Sequence, residues 1–332
     1  MTSLSSSLFK KSQKMIKSKL LVQSSKKSFV YMPAYFRPNS ITSKLFETKI
    51  VLKNDDNQPK KLAEYAITFM NSNQYISSEV YDKAKLFHTD SAICAATALA
   101  LKAKPPTILR DSALRYYSDH DQKPEDTRVA KVFGSDRYTC IEKAISANVS
   151  ATHELNSNGF SLGYSLDDPE RHSAGEIDHN SFYPVVIAAA HMNPSIDGKK
   201  ALKAMILLDE IRGRLDETFN LLSYNLDHAL FGGISSTVVY GALLGASAQQ
   251  IEHALGILVA NYTPWRAVRS GIYDLADSSG CSQAFTTEMG IMSMNRALDG
   301  LTGPKLELPP SDISVTTSGD KFSIMGMHFR FG

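Results

Sequence analysis

Residues 227–257 read DHALFGGISSTVVYGALLGASAQQIEHALGI. The first part, GGISSTVVYGALLGAS from Gly232 to Ser247, is apolar or small at nearly every position, and a helix of that composition fits a crowded interior where neighbouring helices approach closely. Ser247 and Gln250 then form an S-x-x-Q capping box. They open a second helix whose core face is Ile251, Leu255, Leu258 and Tyr262, and Pro264 stops it. Two consecutive helices, one of them able to bury every face, predict a large helical domain with this stretch at its centre.

The same period extends in both directions. From Lys200 onward, Ala204, Leu208, Ile211, Leu215 and Phe219 fall on one stripe of a 3.6-residue helix, with Lys203, Asp209, Arg212, Asp216 and Glu217 placed elsewhere on it. Earlier helices are predicted over Lys61–Met70, from Ser77 through an Ala-rich run that Pro105 and Pro106 end, over Ile141–Ala151, and over PVVIAAAHM from Pro184. A last helix carries Phe285, Met289 and Met292. Residues 107–140 are poorly periodic, with Val129, Val132 and Phe133 reading as a short extended piece. From Asp312 to Phe331 the pattern alternates around a turn at Ser318–Asp320, a hairpin signal.

Between helices, residues 153–184 read HELNSNGFSLGYSLDDPERHSAGEIDHNSFYP, a polar, Gly- and Ser-rich segment with little apolar periodicity. It holds three of the nine histidines, His153, His172 and His179, among Glu154, Asp167, Asp168, Glu170, Glu176 and Asp178. Long polar loops inside compact domains are uncommon and often functional. Groups that exchange protons near neutral pH, gathered in this way, suit cofactor-free acid/base chemistry. A solvated surface loop is the other reading of the same residues.

Composition sets further bounds. Net charge is +2, yet the first 46 residues hold nine Lys or Arg and no acid, which leaves the remainder at −7. No nucleic-acid footprint survives that subtraction. The basic, Ser-rich, acid-free leader has the composition of an organelle transit peptide, so mitochondrial import to the matrix is expected, and its apolar runs are too short for a membrane span. Cys94, Cys140 and Cys281 are widely spaced and match neither a disulfide framework nor a zinc or iron–sulfur motif. No Gly-rich phosphate loop follows a strand.

Several segments in order carry a resemblance to the MmgE/PrpD family. KLFHTDSAICAATALALK resembles the family's early helix, with Asp90 and Cys94 in matching places. KVFGSDRYTCIEKAISANVSATHE is similar to its VFG…NG…H segment. ALKAMILLDEIRGRL matches a helix ending in E-x-x-x-R, residues 227–257 match its small-residue block, and DGLTGP matches its GFTGP. The resemblance spans roughly residues 60–332 and implies a mainly α fold. It divides the chain into a leader (1–46), an all-helical domain (47–305) and the beginning of a smaller α+β lid (306–332), a hairpin with the rest of the lid expected to be absent. It also implies a homodimer, a small tricarboxylate substrate, no cofactor or metal, and no nucleic-acid or membrane partner.

Members include 2-methylcitrate dehydratase and cis-aconitate decarboxylase. The resemblance therefore implies dehydration of a 2-hydroxytricarboxylate in propionate breakdown, with decarboxylation of cis-aconitate or a shortened, catalytically impaired member as the alternatives. The family's active-site histidine falls on His179, although Asn180 follows it where the family has Pro. His172 is the second histidine candidate and Asp168 a carboxylate candidate. The family's acidic motif falls on residues 155–159, so Asn156 and Asn158 stand as amides that can orient a substrate without acting as bases. Ser279 stands where the resemblance implies a lysine, and Arg266 and Arg269 nearby are candidate anchors for substrate carboxylates.

Overall fold

The computed structural model describes residues 57–73, 75–116, 128–157, 159, 179–219, 221, 225–266, 276–305, 323–324 and 327–328. Among these, nine α-helices dominate. Helix α1 (Gln58–Asn71) begins one residue after Asn57, whose side chain accepts the Lys60 N–H at 3.1 Å and so caps the first turn. The Asn57 amide also donates to Glu252 at 2.8 Å. Asn57 thus ties the start of α1 to helix α8 (Ala248–Tyr262).

Helix α2 (Ser78–Ala100) follows Ser77. Pro105 and Pro106 do not end it; they sit in the first turn of a further helix, α3 (Lys104–Leu114), where a missing N–H costs nothing. The reading of residues 107–140 missed α3, because its buried residues are only Pro106 and Ala113 and leave a faint period. Strands β1 (Val129–Lys131) and β2 (Tyr138–Cys140) pair antiparallel, with Val129 opposite Cys140 and Lys131 opposite Tyr138. Asn148 of the next helix, α4 (Ile141–His153), holds this hairpin: it accepts the Phe133 N–H at 2.8 Å and donates to the Lys131 carbonyl at 3.0 Å.

After a 3₁₀ turn, His179–Phe182, come α5 (Pro184–Met192) and α6 (Gly198–Thr218). Asp197 caps α6, accepting from Lys200 N at 2.7 Å. Helix α7 (Ala229–Leu243) is the central element, with residues 229–241 all buried. Its glycines set how close its neighbours come: a Cβ on Gly232 would overlap the Phe182 ring, and one on Gly290 would lie 3.0 Å from the Gly233 carbonyl oxygen. Helix α8 carries the expected capping box.

A 3₁₀ turn at Asp277–Gly280 leads into α9 (Ser282–Leu298), which packs on α7, α8 and α4. The inward face of α9 is not the one its largest side chains mark. Phe285 is exposed and Met289 and Met292 are half-buried, while Ala284, Thr287, Ile291 and Met294 point inward, the Met294 sulfur lying against Gly241 of α7. Near the end of the chain, β3 (Ser323–Ile324) pairs antiparallel with β4 (Met327–His328). The turn expected at Ser318–Asp320 lies outside the described residues.

Candidate active site

Helix α6 determines the site. Its expected apolar stripe is buried at Ala204, Leu208, Ile211 and Leu215, but so are Asp209, Arg212 and Asp216, which follow one another three and four residues apart and share a neighbouring face. Fully buried charges are rare without partners or a function. Each of the three meets a group from the segments on either side. Asp209 lies 3.7 Å from His179 Nε2, the Arg212 guanidinium lies 4.6 Å above the Phe182 ring, and Asp216 lies 3.3 Å from His228 Nδ1.

His179 opens the 3₁₀ turn and is entirely buried. Its ring meets Phe87 of α2 edge to face, with centroids 4.5 Å apart. Asn180 fixes the turn by donating to the Phe87 carbonyl at 2.8 Å and to Asp90 Oδ2 at 3.0 Å. The same Asp90 oxygen accepts the Gly159 N–H at 2.9 Å, so one carboxylate joins the segment after α4 to the turn that carries the histidine. Ser181 Oγ is 3.4 Å from Nδ1 of His153, the buried last residue of α4. His153 is thereby linked to the turn that carries His179.

The electrostatics follow from burial. Desolvation, with the Arg212 charge adding to it, holds the His179 imidazole well below its ordinary range, so the ring is neutral at physiological pH. Burial pushes the Asp209 carboxyl up to about 8, against the Tyr183 hydroxyl, which donates to Oδ2 at 2.5 Å, and against Arg212. The cluster therefore holds a neutral imidazole, a carboxyl that keeps its proton near neutrality, and a fixed cation. Such separated proton affinities are what acid/base sites require.

The residues singled out from sequence are distributed unevenly. His179 is at the centre. Asn156 is exposed and takes a left-handed backbone (φ 48°) just past α4, a conformation asparagine tolerates better than most residues, so the turn itself accounts for it. Arg266 belongs to another junction, where its N–H donates to the Asn225 carbonyl at 2.7 Å beside the Leu226–Trp265 bridge. His172, Asp168, Asn158 and Arg269 lie outside the described residues. Ser279 caps its turn by accepting from the Ala276 N–H at 3.0 Å. A lysine does reach that turn, but from α3: Lys104 pairs with Asp277.

Sequence reading passed over Asp209, Arg212 and Tyr183 as site residues and left His153 and Asp90 without a role. A signal for the first two existed, because Met205 marks apolar character on the side of α6 that Asp209 and Arg212 share. Among the described residues no group of three or more His, Cys, Asp or Glu is arranged to hold a metal ion, and no helix is long and apolar enough to cross a membrane.

A mainly helical domain whose central helices enclose histidines, a carboxyl and an arginine is an α-class scaffold with an acid/base cluster in its interior. The model of the MmgE/PrpD N-terminal domain matches residues 60–311, and the chain belongs to the MmgE/PrpD family. No curated protein matches it.

Proposed function

We propose that the chain is a hydro-lyase of the 2-methylcitrate dehydratase type, acting on a small 2-hydroxytricarboxylate by acid/base chemistry. The observation that carries this reading is the neutral, fully buried His179 held beside Asp209 and Arg212 within the matched family domain. Dehydration moves a proton from the carbon beside a carboxylate to a base, breaks the C–O bond, and gives the departing hydroxyl a proton to leave as water. A neutral imidazole is a competent acceptor at pH 7. His153, linked to the same turn through Ser181, is the second proton-transfer group, and the Arg212 charge favours negative charge developing nearby. By the family resemblance His172, Asp168, Asn158 and Arg269, which lie outside the described residues, are the further candidates for proton transfer and substrate contact.

The test is direct. Purified protein given 2-methylcitrate should produce a conjugated, absorbing alkene, and His179→Ala should lower turnover by at least about a hundredfold. Unchanged 2-methylcitrate overturns the proposal, and itaconate formed from cis-aconitate would assign the chain to decarboxylation instead. We further propose a homodimer in the mitochondrial matrix. A cytosolic distribution of a reporter fused to residues 1–46, or a monomer mass by light scattering, would count against each half of that statement.

A further inference from the structure

We propose that Asp209 is the positioning residue of His179: its carboxyl decides which ring nitrogen carries the proton, and so whether the nitrogen facing the Gly159 segment gives or takes one. The inference rests on His179 being the proton-transfer group of the proposed function. It is carried by the placement of the two ring nitrogens. Nε2 points at Asp209 Oδ2, 3.7 Å away, while Nδ1 faces Gly159, where a Cβ would come within 2.5 Å of it. The Asp209–Tyr183 pair thus stands behind the ring, and Gly159 stands in front.

A carboxylic acid and a carboxylate act oppositely on that rear nitrogen. When Asp209 bears its proton it can donate to Nε2, which leaves the ring proton on Nδ1. When Asp209 is ionised it accepts from Nε2–H, and Nδ1 turns its lone pair to the front. Shortening 3.7 Å to about 3 Å makes either contact a hydrogen bond. The groups acting on the Asp209 carboxyl come from each side: His179 and Tyr183 from the 3₁₀ turn and its boundary with α5, and Arg212 and Glu210 from α6 itself. Helix α2 contributes Asp90, which is engaged with Asn180 and Gly159. The second oxygen, Oδ1, is buried with no hydrogen-bond partner among the described residues, so nothing there fixes the carboxyl in one ionisation state.

The experiment is ¹⁵N NMR of the full-length protein labelled at histidine, which distinguishes the two neutral tautomers without any substrate. The His179 signals are assigned by their loss in His179→Gln. The expected result is a change from the Nδ1–H to the Nε2–H form between pH 6.5 and 9.5, with a midpoint near the Asp209 value of about 8. In Asp209→Asn the tautomer should be the same at both ends of that range. In Tyr183→Phe, which removes a hydrogen bond favouring the carboxylate, the midpoint should rise by about one pH unit. One unchanging tautomer in the natural protein, or a switch that persists in Asp209→Asn, overturns the proposal. Because the readout needs no turnover, inactivity on 2-methylcitrate bears on the proposed function alone.

Discussion

Gly159 lies against His179: a Cβ at Gly159 would sit 2.5 Å from the imidazole Nδ1 and 2.9 Å from Asn180 Oδ1. The backbone there is also left-handed (φ 74°), so any L-side chain is strained twice. Gly159→Ala should cost about 1–2 kcal/mol of stability and, by displacing the ring, reduce turnover by about a hundredfold. Urea unfolding and steady-state kinetics measure the two effects separately. Normal activity in the variant would show that the ring position does not matter.

Asp90 accepts from both Gly159 N–H and the Asn180 amide through one oxygen. Removing it in Asp90→Ala takes this acceptor from both donors, and with the Gly159 contact open to water a loss of about 1 kcal/mol is expected. Asp90→Asn retains an acceptor oxygen and should lose less. Equal stabilities of the two variants, measured by chemical denaturation, would contradict the bridging role.

The Asp209 carboxyl gives a pH dependence of defined sign. Its affinity for a proton is raised in the native state, from 3.8 to about 8, so between those values the folded protein binds more protons than the unfolded chain. Stability from this group is therefore greatest at low pH, falls as pH rises from about 4 to about 8, and is level above that. Asp209→Asn removes the slope, and the variant should gain on the natural protein by an amount on the order of a few kcal/mol between pH 5 and pH 9. Parallel stability curves for the two proteins over that range would refute it.

Gly256 of α8 faces the backbone of Pro304, whose carbonyl oxygen occupies the place of a Cβ, and Gly303 is pressed in the same way against the His253 carbonyl. Backbone atoms cannot rotate aside, so Gly256→Ala should loosen residues 301–304 and cost about 1–3 kcal/mol. Gly245, with φ 78° and no atom within 4 Å of a Cβ, should lose only about 1 kcal/mol as alanine, through conformation alone. Thermal melts of both variants test the difference.

The fold was largely legible because helix periodicity and caps are local. The box at Ser247 and Gln250, the stop at Pro264 and the apolar α7 all occur where the pattern puts them. Helix α3 was not, since a helix that buries two of its residues leaves almost no period to read. Phe285, Met289 and Met292 mark the helix α9 in the sequence, but its inward face is not legible there, because close approach to α7 sets it: Ala284, Thr287 and Ile291 are buried and Phe285 is exposed.

What the sequence determined by itself is the class of fold and the family resemblance, together with His179 as a candidate site residue, all of which depend on residue types at short spacings. Burial of Asp209 and Arg212 was decided only by the tertiary structure. A helical stripe shows which residues share a face, but it cannot show that a second face will be covered by the 3₁₀ turn at His179–Phe182 and by α7. Covering that face removes water from a carboxyl and a guanidinium. The loss of that water, more than the identity of the residues, gives the cluster its separated proton affinities.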